Sequence, residues 1–501
     1  MASEPGVRNQ RQWLYEELAA RMASMIEKGT YRPGDRLPSV RQLSKQQEVS
    51  ISTVLQAYYL LEDRGLIEAR PQSGYYVCAR PTGALLEPEI SSPEPDPSDV
   101  SVQELVLMVL RDTLKPNLLQ FGTAIPHPDL LATAKINRIL ASIARENRLE
   151  HAMYAFPPGC EDLRTAVAQR AVSAGCSLAP NDVVVTSGAD EAMHLCLRAI
   201  CRPGDTVAIE SPLYFGFLQI LEALGLRALE IPTHPRTGIS LEALRFALDH
   251  NPVRACMVIS NFNNPLGSRI PDDNQRELVE MLARREIPLI ENDSFGELYF
   301  SGDRPGVAKS YDRKGLVLLC SSYSETLAPG FRIGWTAPGR FKADVEWYKL
   351  TTNVATPTLP QLAIARFLGS GSYDHHLRRI RRAYAQRMAE MSRAIERHFP
   401  AGVRVTRPDG GHVLWVQLPE AVDSLELYRL ALRIGVTLAP GNIFSATEQY
   451  RNFIRLNAAF WSPEAEPALQ QLGDIVARLA RWRPTSRRWW SPGARSIRRR
   501  S

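Results

Sequence analysis

The sequence has no apolar run long enough to cross a membrane, and its first residues, MASEPGVRNQRQW, contain no apolar stretch. These two absences argue against a membrane protein and against a secretory signal. The seven cysteines are scattered and none forms a CxxC pair, so neither a disulfide framework nor a metal site is expected. A reduced, cytoplasmic protein is the simplest interpretation of these absences.

Acidic residues are also missing from the C-terminal end of the chain. Residues 481–501 contain eight arginines and no Asp or Glu, and removing those eight charges lowers the formal net charge from +6 to −2. Pro, Ser and Gly interrupt this segment, which predicts a disordered basic tail over 481–501. Such a tail suits non-specific contact with DNA phosphates and, equally well, a solvated extension without a role.

A change in composition divides the chain. With 501 residues, it is too long for one ordinary domain. Residues 81–101 hold five prolines, five acidic residues and no basic residue, which is typical of a stiff, hydrated spacer. We therefore expect a first domain over 11–80, a Pro-rich acidic linker over 81–101 and a second domain over 102–480.

The first domain has the pattern of three helices and a ribbon. Apolar positions repeat with helical spacing over 11–28, a second short helix opens after Ser39, and Ser50 is a good N-cap for a third. Two short strands are predicted at 66–69 and 75–78. This order of elements predicts a winged helix-turn-helix.

Three motifs lie in this segment: P-G-x-x-L-P-S-x-R-x-L, L-x-x-x-G-L-I and R-P-x-S-G. With them, residues 11–80 closely resemble the winged-helix domain of GntR-type bacterial regulators, which implies binding to a double-stranded DNA operator. Helix N-termini suit phosphates, and short polar side chains on the third helix suit base edges. Ile51 stands where the family often has arginine, which leaves the operator sequence open, and a protein-interaction module is the alternative interpretation. The candidate DNA-binding residues are Arg36, Ser39, Arg41, Ser50, Ser52, Thr53, Gln56 and Gly74.

The second domain reads as an α/β fold. Short, nearly unbroken apolar runs alternate with helical segments, which predicts a parallel sheet buried on both faces. Residues 412–418 and 453–456 suggest a smaller α/β subdomain near the end. The predicted strands of the large sheet are 183–185, 206–209, 256–259, 288–290 and 317–319.

Five motifs follow one another along this domain: Y-x-x-x-x-G-x-x-x-L-R, S-P-x-Y, N-N-P-x-G, S-x-x-L-A-P-G-x-R and I-R-L. They make residues 121–460 similar to the fold-type I aminotransferase domain of MocR-type regulators, which fuse such a domain to a GntR-type head. The resemblance implies pyridoxal phosphate as cofactor, a head-to-tail homodimer and an effector that changes DNA binding.

The same motifs imply roles for individual residues. Asn264 would meet the hydroxyl of the cofactor ring, and Tyr214 would stack on the ring. Arg455 would hold a substrate carboxylate, and Tyr154 would reach the cofactor of the neighbouring subunit. The residues implied for the phosphate are Ser322, Ser324 and Arg332.

The residues that perform the chemistry are replaced. Glu325 stands at the position of the Schiff-base lysine, and a carboxylate has no amine to condense with an aldehyde. Asn292 replaces the aspartate that keeps the pyridine nitrogen protonated, and Phe295 replaces a tyrosine. We therefore expect a non-catalytic homologue, with no covalent cofactor and with non-covalent binding left open. One hypothesis is that Asp190 and Glu325 serve as counter-ions of Arg332; the alternative is that both face solvent.

Three functions remain in competition. A ligand-responsive transcription regulator is the leading interpretation, with a free amino acid, an amine or an unlinked vitamer as effector. An aminotransferase with an accessory DNA-binding head is the second, and Glu325 counts against it. The third is a dimerisation domain without a ligand. The target operon and the direction of regulation stay open.

Overall fold

The structure is a computed structural model that describes residues 7–32, 34–63, 66–70, 74–77, 85–113, 115, 117–146 and 148–481. Residues 71–73, between the two predicted short strands, and residues 482–501 of the predicted basic tail lie outside the described residues.

The N-terminal elements form a winged helix-turn-helix, as predicted. Ser39 and Ser50 accept backbone N–H groups of the second and third helices, so the two caps fix where these helices begin. The hydroxyl of Tyr58 donates to the carbonyl of Pro38, and its ring lies in the small core of the domain. The elements are α1 (Val7–Glu27), α2 (Val40–Gln47), α3 (Ile51–Asp63), β1 (Ile67–Arg70) and β2 (Gly74–Val77), with β1 and β2 antiparallel.

The remaining strands belong to the aminotransferase-like part of the chain. They are β3 (Ser98–Asp99), β4 (Leu119–Gln120), β5 (Val184–Thr186), β6 (Thr206–Ser211), β7 (Arg227–His234), β8 (Gly238–Ile239), β9 (Val253–Ile259), β10 (Leu289–Asn292), β11 (Val317–Ser322), β12 (Gly334–Ala337), β13 (Arg404–Val405), β14 (Val413–Gln417), β15 (Val436–Thr437), β16 (Ala439–Pro440) and β17 (Phe453–Asn457).

Within the described residues, the main sheet has the order β3-β7-β6-β9-β10-β11-β12-β5, with β8 paired to β7. Strands β7, β6, β9, β10 and β11 are parallel, and β12 is antiparallel to both of its neighbours. Val207 and Ile209 pack into one hydrophobic cluster while Ala208 packs into another, so both faces of the sheet are covered. This burial explains the unbroken apolar runs of the sequence and confirms the α/β fold.

Helices cover these faces. They are α4 (Gln103–Thr113), α5 (Thr133–Arg145), α6 (Glu161–Ala171), α7 (Ala189–Ile200), α8 (Phe215–Ala223), α9 (Leu241–His250), α10 (Asp272–Arg284), α11 (Lys342–Asn353), α12 (Thr358–Gly369), α13 (Ser372–His398), α14 (Ser424–Arg433) and α15 (Glu466–Arg481). None of the helices in the described part of the chain combines the length and apolar character needed to span a bilayer.

The smaller subdomain is built on an antiparallel sheet in the order β13-β14-β17-β16. Its central strands β14 and β17 pair Trp415 with Arg455, which places Arg455 in a fully buried position. His412 immediately precedes Val413, the first residue of β14. Both residues therefore reach the candidate site from this subdomain.

The described part of the expected linker is packed on the second domain. Residues 85–101 lie against the large domain instead of forming a hydrated spacer. Leu86 forms a bridge with Arg404, and β3 pairs with β7. The carboxylate of Glu89 lies 2.7 Å from the guanidinium of Arg404. Because arginines of the second domain pair with Glu87, Glu89 and Asp99, an acidic composition is compatible with docking.

Candidate functional site

The starts of α2 and α3 present the candidate DNA-binding side chains. The hydroxyl of Ser50 lies 2.7 Å from the hydroxyls of Ser52 and Thr53, so the cap also orders the first turn of α3. Ser52 and Gln56 are on this helix, and Ile51 is 50% exposed beside them. This helix surface is therefore polar, with one apolar side chain suited to a thymine methyl group.

Arg36 and Gly74 lie together at the wing. Gly74 opens β2 with a φ of +106°, and a Cβ at this position would lie 3.2 Å from Nε of Arg36. Arg36 also bridges Tyr76 on the same strand. Ser39 and Arg41 lie at the start of α2. The structure thus divides the candidate residues between the helix starts and the wing strand.

The candidate cleft of the large domain lies at the carboxyl ends of parallel strands. Tyr214 follows the end of β6, Asn264 follows β9, Asn292 ends β10 and Ser322 ends β11. Because these strands are parallel neighbours, their ends meet at one edge of the sheet. The fold therefore brings together residues that lie more than one hundred positions apart in the sequence.

Arg332 forms the centre of the candidate phosphate cup. Its guanidinium lies 3.4 Å from the hydroxyl of Ser324 and 3.3 Å from the carbonyl of Ser187. Gly188, just before α7, has a φ of +91°, a conformation that favours glycine, and the guanidinium of Arg332 lies against the place where a Cβ would be. Asp190 lies 3.7 Å from Arg332, and both side chains are about half exposed. The cup thus combines a helix N-terminus and a guanidinium, the donors that suit a phosphate.

Arg455 is a buried cation with neutral partners. Its Nη1 donates to the amide oxygen of Asn264 at 3.1 Å, and its Nη2 donates to the carbonyl of Gly122 at 2.6 Å. The Nε–H is buried and has no hydrogen-bond partner among the described residues. Burial lowers the pKa of Arg455 to about 10, although Tyr214 and Glu325 act in the opposite direction. A carboxylate ligand would supply the charge that this arginine lacks.

Glu325 is held by a histidine. Its Oε2 lies 3.1 Å from Nε2 of His412, whose side chain is fully buried. Nδ1 of His412 lies 3.0 Å from the amide oxygen of Asn457. The orientation of the Asn457 amide follows from its other two hydrogen bonds. Its oxygen accepts the N–H of Ala459, and its nitrogen donates to the carbonyl of Ile125. Nδ1 of His412 is therefore the donor to Asn457, which leaves Nε2 to face Glu325.

This geometry changes the counter-ion hypothesis. Asp190 lies beside Arg332, as the hypothesis required, but Glu325 is hydrogen-bonded to His412 instead. Glu325 is thus an acid within the cleft and not a counter-ion of the phosphate cup.

The edge that would meet the pyridine nitrogen is neutral. The amide oxygen of Asn292 accepts the N–H of Ser294 at 2.8 Å, which directs its amide nitrogen towards the sulfur of Met193, 3.5 Å away. The ring of Phe295 lies 5.2 Å from the ring of His412. Neither side chain carries the charge or the hydroxyl that the replaced residues would supply.

Tyr154 lies apart from this cluster within one chain. It is 69% exposed, and its ring lies 5.6 Å from that of Phe156, which is also exposed. The structure of a single chain therefore brings together the other candidate residues of the cleft and leaves Tyr154 at the surface.

Residues 131–472 match the family described as aminotransferase class I and II, and residues 14–77 match bacterial regulatory proteins of the gntR family. The chain belongs to the MocR type of GntR regulators. It is 39% identical over 463 residues to the HTH-type transcriptional regulator YdcR of Escherichia coli K12. This alignment covers 92% of this chain and 98% of that protein. The HTH-type transcriptional regulator YjiR of the same organism is 38% identical over 93% of this chain and 99% of its own length.

The fold of this MocR-type protein is also found in solved enzymes. The α-aminoadipate aminotransferase LysN of Thermus thermophilus, complexed with N-(5'-phosphopyridoxyl)-L-leucine, matches with a TM-score of 0.69 and 28% identity. The match covers 75% of this chain and 94% of that structure. Membership of this family implies pyridoxal phosphate as the cofactor.

The residues of the cleft fit this cofactor in part. Arg332, the serine hydroxyls beside it and the start of α7 offer donors for a phosphate, and the unpartnered Nε–H of Arg455 marks an acceptor site nearby. Asn292 offers a neutral amide, and Glu325 offers no amine. The residues therefore fit a pyridoxal-type phosphate held by hydrogen bonds and charge, and they do not fit covalent attachment.

Sequence reasoning missed His412 and Asn457 as site residues of this MocR-type protein. The sequence indicates His412 only as the start of a predicted strand, and 87 positions separate it from Glu325. A histidine after the Gly410-Gly411 turn is a weak local signal. Its partner, Glu325, becomes evident only from the position of β14 beside the cleft.

Proposed function

We propose that this GntR-type regulator binds operator DNA through its winged helices as a homodimer, while its aminotransferase-like cleft binds a small amino-acid-like or amine effector without turning it over. The polar start of α3 and the wing support the DNA-binding role. The exposed Tyr154 and Phe156 support pairing with a second chain, since large apolar surfaces are typical of interfaces.

The observation that carries the proposal is that Glu325, which the motif resemblance aligns with the lysine, is held by His412 in a cleft that also contains Arg332 and Arg455. Binding groups for a phosphate and a carboxylate are present, while the amine that would form a covalent bond is absent. Asn292 is neutral, and Phe295 has no hydroxyl, so two further groups of the reaction are missing. A cleft with ligand-binding groups and without reactive ones suits sensing.

When bound, pyridoxal phosphate supplies an electron sink for bonds at a substrate carbon. In this cleft, Arg332 and Ser324 would hold the phosphate, and Asn264 and Tyr214 would orient the ring. Arg455 would hold a carboxylate through its guanidinium. Glu325 and His412 are hydrogen-bonded to each other, and neither can replace the lysine as a nucleophile for an aldehyde.

The proposal is tested on the full-length protein with a duplex selected from a random library. Binding of the labelled duplex is followed by fluorescence anisotropy, with and without candidate effectors, and amino-group transfer is followed in a coupled assay. We expect salt-dependent duplex binding, a change of its Kd with effector, and no amino-group transfer.

Two outcomes would contradict the proposal. Rapid amino-group transfer would support the alternative, an aminotransferase with a DNA-binding head. Duplex binding that ignores every ligand shown to occupy the cleft would support a dimerisation domain without a sensing role.

A further inference from the structure

The acid that replaces the lysine faces the cleft. The side chain of Glu325 is 16% exposed, whereas that of His412 behind it is fully buried. The charge of Glu325 acts on Tyr214, Arg455 and Asp190, which lie around the same cleft. Glu325 therefore lies within the cluster of candidate ligand-binding residues and presents a carboxylate where the motif resemblance implies a lysine.

The two oxygens of this carboxylate differ. Oε2 is occupied by the hydrogen bond to His412, whose orientation is fixed by Asn457. Among the described residues, the hydrogen bonds of Glu325 use Oε2, so Oε1 is left as an acceptor for a ligand. An acceptor at this point favours a donor, and a positively charged donor most of all.

The surrounding groups define the rest of the ligand. Arg332 and the start of α7 suit a phosphate, and Asn264 with Tyr214 suits a flat, hydroxylated ring. Asn292 is neutral and suits an uncharged ring nitrogen. We infer that the cleft selects the amine form of the vitamer, pyridoxamine 5'-phosphate, through a hydrogen bond from its ammonium group to Glu325. This inference rests on the proposed role of the cleft in binding an effector.

The other vitamers would be rejected for a physical reason. The aldehyde oxygen of pyridoxal 5'-phosphate is an acceptor and would face the carboxylate of Glu325 without a shared proton. The hydroxymethyl group of pyridoxine 5'-phosphate can donate, but it carries no charge. Both the hydroxymethyl and the ammonium group can donate to the charged carboxylate, but only the ammonium group adds the attraction between opposite charges, so the amine form has the advantage.

The test compares these three vitamers on the full-length wild-type protein by isothermal titration calorimetry. We expect pyridoxamine 5'-phosphate to bind about ten- to a hundredfold more tightly than either of the others. Borohydride reduction followed by mass spectrometry identifies any pyridoxal 5'-phosphate attached to surface lysines. Equal affinities for the amine and hydroxymethyl forms, or tighter binding of the aldehyde, would overturn the inference.

Two variants assign the selectivity to one residue. Glu325→Gln keeps the shape of the side chain and removes its charge, and we expect it to abolish most of the difference between the amine and hydroxymethyl forms. Glu277→Gln, on the exposed ion pair with Arg245, serves as the matched control and should keep the wild-type selectivity. An unchanged selectivity in Glu325→Gln would overturn the assignment, and the wild-type comparison stands even where this variant does not fold.

A second readout separates this inference from the proposed function. The anisotropy of the selected duplex is measured with saturating pyridoxamine 5'-phosphate. If pyridoxamine 5'-phosphate binds selectively but leaves the duplex affinity unchanged, the identity of the ligand is confirmed and its role as an effector is refuted. A duplex affinity that responds to another ligand, while the three vitamers bind alike, would refute the ligand and leave the sensing role in place.

Discussion

Oε2 of Glu325 lies 3.1 Å from Nε2 of His412, and 87 positions of sequence separate the two residues. His412 is in turn fixed by Asn457, so the acid is part of an ordered network and not a side chain left in solvent. A carboxylate is thereby positioned at residue 325, where the sequence motif predicts the lysine of active aminotransferases.

The network predicts a large loss of stability on removal of His412. Its ring is buried between Phe295 and Tyr384, with centroid distances of 5.2 and 5.1 Å. His412→Ala leaves a cavity and removes a hydrogen-bond partner from Asn457 and Glu325, and we expect it to lower the free energy of unfolding by about 2–4 kcal/mol. Urea denaturation measures this change.

The matched control for this variant is His375→Ala, since His375 is exposed on α13. It should change the free energy of unfolding by less than about 0.5 kcal/mol. Similar effects of the two substitutions would show that the buried network does not stabilise the fold.

Restoring the lysine should not restore the enzyme. In Glu325→Lys, we expect pyridoxal phosphate to become covalently attached, as detected by mass spectrometry after reduction, while amino-group transfer stays low. Asn292 cannot keep a pyridine nitrogen charged, and Phe295 lacks a hydroxyl. Adding Asn292→Asp and Phe295→Tyr should raise the rate roughly tenfold or more above the single variant. Substantial turnover in the single variant would contradict this explanation.

Two residues of the winged helix should affect DNA binding in different ways. Arg41→Ala removes a candidate phosphate contact, so it should weaken binding to all duplexes and reduce the salt slope by about one. Gln56→Ala removes a candidate base contact, and it should cost about 1–3 kcal/mol on the selected duplex and relax its base preference. Anisotropy titrations at several salt concentrations measure both effects.

Arg245→Ala on the large domain is the control for these two variants, because its side chain pairs with Glu277 on the surface. It should leave the duplex affinity and the salt slope unchanged. Identical behaviour of Arg41→Ala and Gln56→Ala would show that the start of α3 does not read bases.

The sequence predicted the fold where burial leaves a strong pattern. The strands expected at 206–209 and 317–319 are β6 and β11, each extended by the residues that lead into the cleft. The docking of the acidic residues 85–101 could not be predicted, because composition does not reveal a partner such as Arg404. The motif residues of the cleft can be named from sequence, but His412 cannot, since its contact with Glu325 depends on the packing of two subdomains.

A buried acid on β6 makes stability depend on pH. Oε2 of Glu210 accepts N–H groups of Ile259 and Asn263, while its Oε1 is buried without a partner among the described residues. Desolvation raises the pKa of Glu210 to about 8, against the effect of these two hydrogen bonds. Between its unfolded pKa of about 4.5 and about 8, the folded state therefore keeps a proton that the unfolded state has released.

It follows that this group stabilises the fold fully at low pH and that its contribution is lost as the pH rises towards about 8. Glu210→Gln cannot ionise, so its stability relative to the wild type should increase from about pH 5 to about pH 8, by an amount on the order of 2–4 kcal/mol. Urea denaturation at several pH values measures the difference, and Glu277→Gln, which is exposed, should follow the wild type. Parallel stability curves for the wild type and Glu210→Gln would show that Glu210 ionises alike in the folded and unfolded states.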